Sequence, residues 1–124
     1  MSYSVGTLTV RPRATKITID TDTFGVGDPY LVLKIGTHEY KTAAHKNTSA
    51  PTFTETFSIK IDQIYNFHVK VMDEDVGRDD FVAETTVSLQ DVIVKGKAIE
   101  VVTLSRDGKD VGNITFELDF LRQN

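Results

Sequence analysis

Phe67-His-Val-Lys-Val-Met-Asp73-Glu-Asp75-Val-Gly-Arg-Asp79-Asp80-Phe81 sets the reading of the whole chain. Phe67, Val69 and Val71 alternate with other residues at the period of a strand that buries one face. That strand runs straight into a loop crowded with carboxylates. About fifty residues earlier, Asp22-Thr-Phe-Gly-Val-Gly-Asp28-Pro29-Tyr30 repeats the theme after Ile17 and Ile19. Two acidic loops held at one edge of a sheet form a cage for a hard divalent cation. Calcium takes about six to eight oxygen ligands in loose geometry, and loops rich in aspartate supply them.

Outward from these loops the same alternation continues. Leu8 and Val10 share a face, as do Leu31, Leu33 and Ile35, then Phe57, Ile59 and Ile61. Val87 with Leu89, Val101 with the neighbouring Thr103, and Ile114, Phe116, Leu118 and Phe120 complete the set. Each run is short, rich in β-branched and aromatic residues, and bounded by Gly, Asp or Asn. Seven or eight such strands predict an all-β antiparallel sandwich. No helical stripe is evident beyond a single turn at Leu89 to Lys95, and Pro12 inside the first run predicts an edge position or a bulge.

The 124 residues fit one domain spanning residues 1–124, long enough to bury a core. A net charge of −4 with no basic tail argues against nucleic acid as a partner. The absence of cysteine excludes disulfides, thiolate zinc sites and cysteine nucleophiles. The N-terminal Met1-Ser-Tyr-Ser-Val-Gly has neither the basic region nor the apolar core of a signal peptide. No stretch reaches the roughly 20 apolar residues of a membrane span. A cytoplasmic protein is therefore expected, and Met1 with the polar tail Arg122-Gln-Asn124 reads as a complete small protein.

Electrostatics favours a metal in the loops. Like charges about 4 Å apart repel by about 4 kcal/mol at an effective dielectric of about 20. Asp73, Asp75, Asp79 and Asp80 therefore stay together only if fully solvated or neutralised by a cation. Asp22 and Asp28 followed by Pro29-Tyr30, with Asp73-x-Asp75 and Asp80-Phe81-Val82, resemble a C2 domain. This is the calcium- and phospholipid-binding β-sandwich of synaptotagmins and protein kinase C. Pro51-Thr-Phe53-Thr-Glu55-Thr-Phe57 is similar to that family's Pro-x-Trp-Asn-Glu-x-Phe stretch, with Phe53 standing where Trp is usual. Ala83 stands where Gly is frequent. Neither position supplies a calcium oxygen.

The resemblance implies an eight-stranded Greek-key sandwich holding two or three calcium ions. The implied ligands are the side chains of Asp22, Asp28, Asp73, Asp75 and Asp80, with the carbonyls of Thr23 and Glu74. Asp79 lies one residue early and adds field rather than a bond. Gly112 to Phe120 resembles the opening strand of synaptotagmin-type domains, which implies the permuted, type II arrangement. Calcium at the loops would then recruit the chain peripherally to anionic phospholipid, in membrane trafficking or signalling. Phe24, Val26 and Val76 are candidates for insertion at the loop tips, although Phe24 packing back on the loop base is an equal alternative. Lys34, Lys41, Lys46 and Lys70, with His38, His45 and His68, give the middle strands a basic character. In the family such a face can bind phosphoinositides, with Tyr40, Lys41 and Lys70 the positions of interest; the plainer reading is solvent-facing strand residues.

Two other function classes compete. Clustered carboxylates can hold magnesium for phosphoryl transfer, with a histidine as base. No nucleophile-histidine-aspartate ordering, phosphate loop or paired-histidine motif accompanies them, so no enzyme is expected. An adaptor that binds a protein partner, with or without calcium, is the second alternative.

Overall fold

The computed structural model describes residues 4–18 and 27–123. Within them the elements run β1 (Val5–Ile17), β2 (Pro29–Ile35), β3 (His38–Lys41), β4 (Phe57–Asp62), β5 (Asn66–Asp73) and β6 (Asp80–Ser88). Then follow α1 (Gln90–Lys95), β7 (Lys97–Arg106) and β8 (Lys109–Arg122). The strands are hydrogen-bonded in the order β3-β2-β5-β6-β7-β8-β1-β4, each pair antiparallel. β6 and β7 share one register pair, Glu84 with Ser105, so the sheet divides there into two four-stranded halves. The halves stack as a β-sandwich, which bears out the expected fold class.

The inner faces are the ones the alternation indicates. Leu31, Leu33 and Ile35 of β2, Val69 and Val71 of β5, and Ile114 and Phe116 of β8 are fully buried. The Phe67 and Phe116 rings meet edge to face at 5.4 Å, joining β5 of one half to β8 of the other. Removing that apolar area from water is the main favourable term holding the halves together. β8 pairs with β1 from Gly6↔Arg122 to Ile17↔Gly112, so the last strand closes on the first. Gly112 has φ +142, and a Cβ there would lie 1.9 Å from the Lys16 carbonyl oxygen. Only glycine lets the two backbones approach so closely.

Three local readings are refined. Leu8 to Ile17 is a single strand, and the register of β1 against β8 shifts between Pro12 and Thr15. Beyond Val10, β4 leaves β1 and residues 49–53 take over its edge, with Thr15 donating to Pro51 and Ile17 to Ser49. Pro12, with no N–H to offer, falls where the strand changes partners. β3 is absent from the alternation because none of its four residues is buried. In β7 the expected phase is reversed: Val101 is 66% exposed, while Leu104 is fully buried and Ala98 and Val102 pack on the core. Apolar residues occupy both phases of β7, so periodicity alone had no means of choosing between them. The single turn after Leu89 is α1, ended by Gly96 in the left-handed conformation, with Val92 and Ile93 buried.

Phe116→Ala should cost about 3–5 kcal/mol in denaturant-induced unfolding. Val101→Thr should stay within about 0.5 kcal/mol of wild type. A large loss at Val101 would show that β7 turns its other face to the core.

Candidate metal centre

β5 is the middle strand of three whose ends carry acids. Its last residue, Asp73, is in register with Pro29 on one side and with Asp80 on the other. Asp28 precedes Pro29 directly, so Asp28, Asp73 and Asp80 are brought to one pole of the sandwich by strand pairing. The main chain ties them further. The Asp28 amide donates to Asp73 Oδ1 at 2.8 Å, and the Glu74 amide donates to the Asp28 carbonyl at 3.0 Å.

A third wall comes from the connection between β3 and β4. The Asn47 amide donates to Asp28 Oδ1 at 2.8 Å, and the Thr48 amide donates to the Gly27 carbonyl at 2.9 Å. These contacts place Lys46 over the acids. Its Nζ lies 3.1 Å from Glu74 Oε1 and 3.6 Å from Asp28 Oδ2, with the side chain largely exposed. The Glu74 contact is the main reason the Lys46 ammonium is held above its ordinary pKa. Asp28, Lys46, Glu74, Asp75, Val76 and Asp79 line one open depression.

The donor chemistry fits a hard cation, since every candidate ligand is oxygen, and an ammonium already sits between two of the carboxylates. Among the described residues no three acidic or imidazole side chains converge closely enough to hold a metal ion as they stand. Several carboxylate oxygens have amide partners instead: Asp28 Oδ1 takes Asn47, Asp73 Oδ1 takes Asp28, and Asp75 Oδ1 takes the amide of Val76 at 2.7 Å. Asp22, Thr23, Phe24 and Val26 lie outside the described residues. Asp28, Asp73, Glu74, Asp75 and Asp80 all lie at the one pole. Val76, at the tip of the connection from β5 to β6, is 99% exposed.

Two features escaped the spacing argument. Asp79 makes bonds of its own: one carboxylate oxygen accepts the Tyr30 hydroxyl, and the other accepts the Asp75 amide at 3.1 Å. The Tyr30 bond is the main cause that holds the Asp79 carboxyl below its ordinary range. The same bond, aided by burial, pushes the Tyr30 phenol up to about 12. Tyr30 one residue beyond Pro29 and Asp79 one residue before Asp80 were visible in sequence, but nothing in their spacing announces a contact. The Pro51 to Phe57 stretch, second, is a structural brace. Phe53 is fully buried with the His45 ring edge-on at 4.8 Å, and Glu55 Oε2 accepts the Ala43 amide at 2.7 Å. It thereby steadies the segment that carries Lys46.

Comparison with known proteins agrees with this architecture. The family profile for the C2 domain matches residues 6–104. Elicitor-responsive protein 3 of Oryza sativa subsp. japonica is 37% identical over 94 residues, covering 73% of this chain and 65% of that protein. Extended synaptotagmin-1 of Mus musculus is 30% identical over 82 residues, covering 64% of this chain and 8% of that protein. The chain thus spans less than two thirds of the length of these relatives. Among solved structures, a C2 domain-containing protein from an elicitor-responsive gene superimposes with a TM-score of 0.84 at 29% identity, over 97% of this chain and 91% of that one. A calcium-bound pair of C2 domains from Extended-Synaptotagmin 2 superimposes with a TM-score of 0.81 at 21% identity, over 94% of this chain and 46% of that one.

The Tyr30–Asp79 bond has a spectroscopic consequence. A raised phenol contributes stability that is full below its ordinary value of 10.0 and is lost as pH rises through about 12. The depressed Asp79 carboxyl contributes stability present above 3.8 and lost as pH falls below it. In an alkaline titration followed by tyrosinate absorbance, one of the four tyrosines should ionise near 12. Asp79→Asn should return that step towards 10.0. Four tyrosines titrating together in wild type would count against the bond.

Proposed function

Because the chain belongs to the C2 domain family, we propose that it is a calcium-dependent phospholipid-binding module that engages membranes through its acidic loop pole. One observation carries the reading: the register Pro29↔Asp73↔Asp80 gathers carboxylates from separate stretches of sequence at one rim. The residues to hold calcium are Asp22, Asp28, Asp73, Asp75 and Asp80, with the carbonyls of Thr23 and Glu74. Bound calcium supplies positive charge and coordination positions that a lipid phosphate oxygen can fill. Two ions would bring the formal net charge from −4 to zero.

The chain's own residues do the rest. Without a cation the acidic rim is repelled by an anionic membrane surface. Neutralisation at the rim reverses that local field, so calcium and membrane raise each other's affinity. Val76 at the tip offers apolar surface to the interface, as the proposed partner of Phe24. No described helix is long and apolar enough to cross a membrane.

A second lipid contact has a specific observation behind it. Lys41 and Lys70 flank Val32 in register, and Lys34 lies beside His68 one row away. Among the described residues no salt bridge involves Lys34, Lys41 or Lys70, and although the Lys41 charge also helps to lower the Asp79 carboxyl, the three ammonium groups are offered to a phosphoinositide headgroup. Glu39 and Glu84 interrupt this face, and His68 Nε2 lies 2.9 Å from Glu84 Oε1.

Calcium titration with and without phosphatidylserine vesicles tests the main reading. Asp75→Asn should abolish the metal response and the vesicle response together. Vesicle binding indifferent to calcium, or absent altogether, would favour the protein-adaptor alternative. Lys46 supplies a finer check. Removing its ammonium in Lys46→Gln should tighten calcium binding by roughly two- to fivefold, the scale of an exposed ion pair. Weaker calcium binding in that variant would mean that Lys46 supports the site.

A further inference from the structure

Tyr30 and Asp79 lie 49 positions apart, yet the hydroxyl of one donates to the carboxylate of the other. Tyr30 is only 9% exposed, and it is in register with Met72 of β5, so the sandwich fixes where its hydroxyl points. It follows Asp28 by two residues. Asp79 closes the connection between β5 and β6, and its second oxygen takes the Asp75 amide. Between them Gly77 turns the chain at φ +90 with no atom near the position of a Cβ. Asp79 ties the far side of this turn back to the Asp75 amide and to the Tyr30 hydroxyl. One carboxylate joins the wall carrying Asp28 to the loop carrying Asp75.

From this geometry we infer that Tyr30 and Asp79 are positioning residues, which set the placement of Asp75 relative to Asp28 without binding the cation themselves. The inference rests on the calcium reading above and gives that site a mechanical support. An amide held by a carboxylate fixes the backbone of Asp75, and the buried phenol fixes the carboxylate. Partners that orient metal ligands in this way typically affect metal affinity by about 10–100-fold. Asp79 also contributes negative field, so its role has to be separated from charge. Tyr30→Phe does that, because it removes the hydroxyl and leaves both ring and net charge in place.

The experiment measures calcium affinity by calorimetry, and hydrogen exchange at the Asp75 amide by NMR, for wild type, Tyr30→Phe, Asp79→Asn and the double variant. Tyr30→Phe should weaken calcium binding about tenfold and speed exchange at Asp75 while the core amides keep their protection. The double variant should bind calcium no more weakly than Asp79→Asn alone, since both changes break one brace. Calcium affinity in Tyr30→Phe within about twofold of wild type, beside a weakened Asp79→Asn, would reduce Asp79 to a source of field and overturn the inference alone. A wild-type chain that does not respond to calcium would overturn the calcium reading and the inference together. If Tyr30→Phe loses core protection, a further variant, Asp79→Ala, which removes the acceptor of the Asp75 amide, decides by its Asp75 exchange rate: unchanged exchange rejects the brace, faster exchange upholds it.

Discussion

The pairing of β5 with β2 on one side and β6 on the other is the constraint on which the candidate centre depends. It puts Asp73 level with both Pro29 and Asp80, and so forces like charges towards one another at the end of the sheet. Register of this kind is fixed by burial. Val69 and Val71 are fully buried, and a slip of one residue would turn them to solvent and Lys70 into the core. The hydrophobic effect, acting on the inner faces, thus sets the spacing of carboxylates at the rim. Electrostatic repulsion there is small beside the apolar area that opposes it.

That repulsion is then relieved locally. Backbone amides from Asp28, Asn47 and Val76 occupy carboxylate oxygens, Asp79 takes a phenol and an amide, and Lys46 spans Asp28 and Glu74. These partners differ in tenure. An exposed ammonium on a long, flexible stem is easily displaced. A bond from a buried phenol, anchored by the core, is not. The acidic pole accordingly combines a movable cation with a fixed contact, a division suited to the proposed uptake of a divalent ion at the rim. The Pro51 to Glu55 stretch extends the same logic inward, since Phe53 and Glu55 anchor the segment from which Lys46 reaches the acids.

Membership of the C2 family settles the architecture and makes lipid and calcium the natural ligands to consider, while the individual chain supplies the particulars. Here these are an all-aspartate set of candidate side-chain ligands, an exposed Val76 at one tip, and a lysine face diluted by Glu39 and Glu84. The dilution matters physically. A basic strand face interrupted by carboxylates attracts anionic headgroups less than an uninterrupted one, which leaves the loop pole as the main proposed point of attachment.

Much of this was legible in the chain itself. Alternating apolar residues fixed the strands because burial of one face imposes a period of two, and Pro12 marked its bulge because it lacks an N–H. The crowding of aspartates was equally plain, whereas the amides and the phenol that occupy their oxygens were not. β7 reads in the wrong phase, and β3 escapes notice, for the same reason: neither offers an apolar pattern that distinguishes inside from outside. What only tertiary structure decided is which distant residues touch. That Lys46 sits over Asp28 and Glu74, and that Tyr30 braces Asp79, depends on strand order and on a connection folding back across the pole. Sequence specifies each residue's local preference, whereas contacts between residues tens of positions apart are set by how the two halves of the sheet pack.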